Sequence, residues 1–167
     1  PRHSLSAQEV YGSDIYFKAA WVLHTLRYLV GEEALREALR RMAYPTEDAA
    51  WETDGSQVRF ASTADAVTIF EAVSDRELDW LFEAYLRQAD LPVLLVEIEA
   101  GDGERQLSLR WDVPGGLPFP MPVPVQLGDR TALVDMIDGT GSVAVPAGIA
   151  PVIDPERWLL REQSGPA

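Results

Sequence analysis

The chain has 167 residues, 47% of them hydrophobic and 25% charged, which is typical of one ordinary globular domain or two small ones. No run approaches the roughly 18 consecutive apolar residues of a membrane-spanning helix, and no charged segment followed by an apolar run predicts a signal peptide. The formal net charge is −13 and the basic residues are scattered singly, so the basic stripe that a nucleic-acid or membrane-surface partner requires is missing.

Two helices are predicted near the start of the chain. Apolar residues from Ile15 to Leu29 recur at helical spacing, and Gly31 stands where a C-cap would end this helix. Glu32 opens a second helix, whose last turn carries Arg40 and Arg41. Acidic residues at the start and basic residues at the end of a helix complement its dipole, so the charge order supports this assignment.

Two more helices are predicted after a polar stretch, residues 44–62, that predicts a loop. The third helix begins near Thr63. The segment Ser74-Asp75-Arg76-Glu77 matches a capping box, in which serine and glutamate satisfy each other's free backbone amides, and it predicts the start of a fourth helix. Four short amphipathic helices bury only a modest core, so we expect them to pack against another surface.

The composition changes near Leu91. Ten of the twelve prolines and nine of the twelve glycines fall at or after Pro92, where short apolar runs alternate with turn residues. The predicted strands are 93–99, 106–111, 123–127, 131–136, 142–145 and 157–160, with a turn at Asp102-Gly103 and an edge strand or extended connection at 117–124. We therefore predict an α+β fold of two units, a helical segment over 1–91 and a small β-sandwich over 92–167.

Residue chemistry alone identifies no active site. The two histidines, His3 and His24, are far apart, and His24 is expected to be solvent-facing or hydrogen-bonded. The sequence contains no H-E-x-x-H, G-x-S-x-G, phosphate-loop or dinucleotide pattern. It also contains no cysteine, which excludes disulfides and thiolate metal sites and leaves the compartment of a soluble protein open between cytoplasm and periplasm.

Four segments resemble one enzyme family. Residues 16–27, YFKAAWVLHTLR, resemble the pattern Y-x-K-G-a-x-v-L-x-x-L of the gluzincin zinc aminopeptidases, the family of aminopeptidase N. Residues 63–86 resemble that family's T-x-x-D-F … s-G-x-D-L-x-w-F-F-x-x-W-l, and 154–160 resemble its D-P-x-x-W-l-L. Leu91-Pro92-Val93-Leu94 matches the point where the family passes from its helical catalytic domain to a β domain. The sequence departs from the pattern at Ala19, where the family has glycine.

The resemblance implies that the chain is the C-terminal fragment of an aminopeptidase-like metallopeptidase that hydrolyses N-terminal residues from peptides. The zinc ligands of such a parent enzyme would lie before residue 1, so the fragment itself is expected to hold no metal and to be inactive. Tyr16 matches the family tyrosine that donates a hydrogen bond to the oxyanion of the tetrahedral intermediate. Lys18 matches the family lysine, and a structural ion pair is expected for it.

The same resemblance implies the partners. The parent enzyme would bind a peptide substrate, and the fragment would pack against the N-terminal half of the same protein. The helical unit would expose an apolar face without that half, so self-association of the fragment is expected. The alternative is a non-catalytic protein whose helices and sandwich form an interaction scaffold. An H-E-x-x-H motif upstream of residue 1 would favour the enzyme, and substituted ligands would favour the scaffold.

Overall fold

The computed structural model describes residues 14–55, 58–100 and 105–162. Its helical part contains α1 (Asp14–Val30), α2 (Glu32–Ala43), a short 3₁₀ turn (Asp48–Ala50), α3 (Thr63–Ser74), α4 (Asp79–Phe82) and a π-helical turn (Glu83–Arg87). The strands are β1 (Val93–Ala100), β2 (Arg105–Asp112), β3 (Val123–Leu127), β4 (Arg130–Val134), β5 (Thr140–Val145) and β6 (Val152–Ile153), with a 3₁₀ turn at Pro114–Gly116. The α+β prediction is confirmed. None of the helices in these ranges is long and apolar enough to cross a membrane.

Gly31 separates α1 from α2. Its φ of 86° is costly for a residue with a Cβ, and its amide donates to the Arg27 carbonyl at 2.9 Å. The buried residues of α2 are Leu35 and Ala38, whereas its outer face carries exposed ion pairs such as Glu32 with Arg36 at 2.7 Å. Exposed pairs of this kind stabilise little, so α2 is held mainly by its apolar face.

The capping box predicted at Ser74–Glu77 is wrong. Ser74 is the last residue of α3, where its hydroxyl donates to the Phe70 carbonyl at 2.7 Å, and the residue that precedes α4 is Leu78, which has no side-chain cap. The amide of Leu78, which precedes α4, donates instead to the Glu71 carboxylate at 2.7 Å. A capping box does occur at the start of α3, where Ser62 and Asp65 satisfy each other's backbone amides.

The strands form two antiparallel sheets of three, in the orders β1-β2-β5 and β4-β3-β6. β2 alternates between the faces of its sheet: Leu107, Leu109 and Trp111 are buried, whereas Arg110 is exposed. This alternation places one face of the sheet against the core and the other toward solvent.

The strand predicted over 157–160 is wrong, and β6 at Val152–Ile153 was not predicted. Two amides of that segment, those of Trp158 and Leu159, donate to the Asp154 carboxylate at 2.8 and 3.0 Å, so they are not available for a strand ladder. Of the segment 117–124, residues 117–122 form a connection without a strand partner, and Pro124 lies in the central strand β3. The turn predicted at Asp102-Gly103 lies outside the described residues.

One hydrophobic core extends from the helices into the sheets. Phe119, from the connection before β3, is 1% exposed, and its ring makes edge-on contacts with Tyr85, Trp80 and Trp111 at centroid distances of 5.6, 5.1 and 5.1 Å. Helices end at Arg87 and strands begin at Val93, on either side of the predicted boundary. The division into domains 1–91 and 92–167 stays a prediction.

Replacing Gly141 of β5 with alanine is expected to lower the free energy of unfolding by about 2 kcal/mol. A Cβ built on Gly141 would lie 2.4 Å from the Asp135 carbonyl oxygen, a backbone atom that cannot swing away. Chemical denaturation would measure the loss, with the exposed neighbour Ser142→Ala as the matched control. A Gly141→Ala variant as stable as the control would contradict this account of the close approach.

Candidate functional site on the first helix

Tyr16 lies in the first turn of α1, and 58% of its side chain is exposed. The rest of α1 is anchored in the core, where Val22, Leu26 and Leu29 are buried. A functional group on a packed helix is positioned more precisely than one on a loop. The oxyanion role assigned to Tyr16 by resemblance stays a prediction.

The start of α1 carries an apolar surface that the described chain leaves exposed. Phe17 is 67% exposed and Trp21, one turn later, is 41% exposed. The opposite side of the same helix is buried, so α1 is apolar on two sides. A helix with this pattern is ordinarily covered on both sides. We call Tyr16, Phe17, Ala20 and Trp21 the α1 surface.

Lys18 connects α1 to the end of the helical part. Its Nζ donates to the Gln88 carbonyl at 3.2 Å, just after the π-helical turn. Among the described residues, the contact of Lys18 is therefore this backbone carbonyl, not the carboxylate of the ion pair we had expected. The hydrogen bond of Lys18 therefore connects α1 to the backbone at Gln88 and does not neutralise a carboxylate.

His24 belongs to an aromatic cluster that joins α1 to the C-terminal segment. Its ring stacks on Trp158 with centroids 4.7 Å apart and planes 17° apart, and it meets Trp21 edge-on at 5.4 Å. The guanidinium of Arg27 lies over Trp158 at 5.5 Å, and Tyr28 stacks on the same ring at 6.0 Å. His24 is partly buried and packs within this cluster, a contact that the sequence did not predict.

Two buried polar side chains hold the C-terminal segment 154–162 in place. Thr25, which is fully buried, donates to the Trp158 carbonyl at 2.8 Å and accepts from the Leu160 amide at 3.0 Å. Asp154, which is 6% exposed, accepts the Trp158 and Leu159 amides. Four backbone groups that would otherwise be buried without partners are thereby satisfied.

Two tyrosines on the helices reach backbone carbonyls of the β part. Tyr85 donates to the Leu160 carbonyl at 2.7 Å, and Tyr28 donates to the Pro122 carbonyl at 3.2 Å. Burial, reinforced by the negative charge of Asp154, raises the pKa of both hydroxyls well above the ordinary value. The raised pKa favours the protonated form, in which each hydroxyl donates to its backbone carbonyl.

The described residues do not include three His, Cys, Asp or Glu side chains grouped so that they could hold a metal ion. They do line three surface grooves. One of about 380 Å³ lies on the outer face of sheet β1-β2-β5, one of about 490 Å³ between the helices and the other sheet, and one of about 610 Å³ beside Gly31. Tyr16 lines none of these three.

No family model matches the chain, and no curated protein matches it significantly. Among solved structures it is similar to that of Legionella pneumophila aminopeptidase A in complex with aspartic acid, with a TM-score of 0.64 over 90% of this chain and 16% sequence identity. The chain folds like part of an aminopeptidase. It spans 18% of the length of that protein, and at this identity the likeness concerns the fold alone.

Sequence reasoning missed the Thr25 and Asp154 contacts and the aromatic cluster. The only local signal for the cluster is the spacing of Trp21, His24 and Tyr28 on one side of α1. The fourth ring, Trp158, comes 130 residues after Tyr28, and its hydrogen bond with Thr25 spans 133 residues. Periodicity within a window of one helix carries no information on contacts at that separation.

Proposed function

We propose that the chain is the C-terminal part of a zinc-dependent aminopeptidase that removes N-terminal residues from peptides. The observation that carries this proposal is the likeness in fold to an aminopeptidase over 90% of the chain, at a TM-score of 0.64. Its support from the sequence is that the four segments resembling the zinc aminopeptidases follow one another in the family's order.

Within that enzyme, Tyr16 would donate a hydrogen bond to the oxyanion that forms when the peptide carbonyl is attacked. A tyrosine hydroxyl can donate one hydrogen bond, and donors aimed at developing charge are among the strongest contributions to catalysis. Two features support the assignment: the side chain of Tyr16 is exposed at the start of α1, and the helix that carries it is anchored in the core.

The metal would be bound outside this chain. The described residues do not fit a zinc site, because a catalytic zinc requires three protein ligands and no such group occurs among them. We therefore assign the zinc ligands to the N-terminal half of the proposed parent and assign no step at the metal to residues of this chain.

The α1 surface is the part of the chain that we assign to contact with the N-terminal half. Phe17 and Trp21 are large and apolar, and both are more than two-fifths exposed. Their burial against the rest of the protein would place Tyr16 beside the cleft in which the peptide binds. Phe17 and Trp21 would then contribute apolar contact area, and Tyr16 would contribute the polar contact to the substrate.

Zinc binding and activity are expected only in a longer protein that carries the chain together with the residues before it. Calorimetric titration should give one zinc per longer protein and no stoichiometric binding to residues 1–167. The longer protein should hydrolyse aminoacyl-anilide substrates and lose activity with a chelator, whereas the chain alone should be inactive. Micromolar zinc binding by the chain itself would contradict the assignment of the ligands. A longer protein that binds no zinc would favour the interaction scaffold.

A further inference from the structure

The strand β1 forms one edge of its sheet, and little of its outer edge is paired with the rest of the described chain. In the order β1-β2-β5, all eight residues of β1 pair with β2, from Val93 opposite Asp112 to Ala100 opposite Arg105. On its other side, the described chain supplies a single bridge, between Val93 and Glu162. The outward backbone groups beyond Val93 are therefore left without a strand partner in the described structure. An edge of this length is open to pairing with another chain.

Two apolar side chains are exposed at that edge. Val96 and Ile98 are 41% and 46% exposed, whereas their cross-strand neighbours Leu109 and Leu107 are buried. All four lie on the inner face of the sheet, which packs on the core. Val96 and Ile98 are exposed because the inner face ends at β1, so one more strand along this edge would bury both.

We propose that a second copy of this chain pairs antiparallel with β1 through β1, with Val96 of each copy at the twofold axis. The two sheets would then join into one sheet of six strands, and the inner face would continue across the junction. The pairing is self-complementary, as a twofold dimer requires. This inference is independent of the proposed function.

Charge and the burial of the exposed apolar side chains select the register. The inner faces of the two sheets join only when residues of the same face lie opposite each other. The twofold axis can then pass through Leu95, Val96, Glu97 or Ile98. A centre at Glu97 opposes two glutamates, and a centre at Ile98 opposes Glu97 to Glu99. A centre at Leu95 places Ile98 opposite Pro92, which lies outside β1, so Ile98 would stay uncovered. A centre at Val96 opposes Leu94 to Ile98 and Leu95 to Glu97, which covers both exposed apolar side chains and opposes no two glutamates. In this register the ladder runs from Leu94 to Ile98 and stops before Val93, where Glu162 is already bridged.

The same register brings opposite charges together. Glu97 and Arg110 are exposed on the outer face, and neither has an ion-pair partner within the described residues. Arg110 is opposite Leu95 in the β1–β2 ladder. In the dimer, Arg110, Leu95 and Glu97 of the partner subunit would lie in one row across three adjacent strands. Arg110 and that glutamate would be two strand spacings apart, or about 9.6 Å. Extended arginine and glutamate side chains together can span this distance, over a groove that both residues line.

Sedimentation velocity on the 167-residue chain is expected to show a monomer–dimer equilibrium whose dissociation constant rises at least tenfold with Val96→Lys. Leu133→Lys is the matched control, because Leu133 is also an exposed strand residue, 59% exposed, but lies in the other sheet. The control should dimerise normally. A chain that stays monomeric at millimolar concentration, or a dimer that Val96→Lys leaves intact, would overturn the proposal.

A charge exchange tests the register with variants that leave the core untouched. Glu97→Arg and Arg110→Glu should each weaken the dimer, whereas the double variant should restore it, because each charge pair re-forms with reversed signs. Circular dichroism would verify that each variant folds. Dimerisation that is insensitive to both single changes, or that the double variant fails to recover, would rule out pairing centred on Val96.

Discussion

Replacing Tyr16 with phenylalanine in the longer protein is expected to lower kcat by about 10²–10³-fold with little change in KM. The substitution removes one hydroxyl and keeps the ring. If that hydroxyl bonds only the oxyanion of the transition state, its loss appears in kcat, whereas ground-state binding of the peptide is kept. Steady-state kinetics with an aminoacyl-anilide would measure both parameters. Tyr44→Phe is the matched control, since Tyr44 is a half-exposed tyrosine at the end of α2.

A purely structural Tyr16 gives the opposite pattern. Its hydroxyl would then contribute to folding, so Tyr16→Phe would lower the melting temperature and leave turnover near normal. The two outcomes are separated by measuring kinetics and thermal unfolding on the same preparation. Equal kcat values for Tyr16→Phe and Tyr44→Phe would exclude the oxyanion role, even if aminopeptidase activity itself were established.

Replacing Thr25 with valine is expected to lower the free energy of unfolding by about 2–4 kcal/mol. Valine has nearly the shape of threonine but leaves the Trp158 carbonyl and the Leu160 amide without their partner inside the protein. Each buried polar group without a partner incurs its desolvation penalty, and Thr25 is fully buried. Urea denaturation of the 167-residue chain would measure the loss.

Thr68→Val is the control for that measurement. Thr68 lies on α3 and is exposed, so its replacement changes the same atoms on a helix without removing a buried contact. It should alter stability by less than about 0.5 kcal/mol. A Thr25→Val variant as stable as this control would mean that solvent satisfies the groups at Trp158 and Leu160, and that the C-terminal segment is not held by Thr25.

The elements that sequence predicted well are those determined by neighbouring residues. The apolar spacing along α1, the helix end at Gly31 and the strand at β2 each depend on residues close together in the sequence. The fold class followed from the change of composition at Pro92. Local patterns were sufficient there because helical and strand periods differ so clearly.

The errors occurred where a local pattern competed with a distant contact. Ser74 fits a capping box by sequence, but α3 continues through it, and the Glu71 carboxylate takes the Leu78 amide instead. Residues 157–160 look like a strand, but Asp154 and Thr25 take the amides that a ladder would need. Such competition depends on which distant side chains contact the segment in the folded protein. The pattern of neighbouring residues does not show which ones these are.

The candidate site could be predicted only by resemblance. Tyr16 was identified by the family pattern, and the proposed chemistry would require groups outside this chain. The structure adds its exposure and the apolar neighbours Phe17 and Trp21, which periodicity had placed on a helix without assigning them a surface role. The oxyanion role therefore depends on the experiment with Tyr16→Phe.

The Thr25 contact has a consequence for biosynthesis. Its two hydrogen bonds join α1 to residues 133 and 135 positions later in the chain. Translation makes α1 before the backbone that its threonine binds, which lies more than 130 residues further along the chain. Contacts at such separation slow folding, because a long loop must close before they form. Until residues 158–160 have been synthesised, the side of α1 that carries Thr25 therefore lacks the segment that covers it in the folded chain.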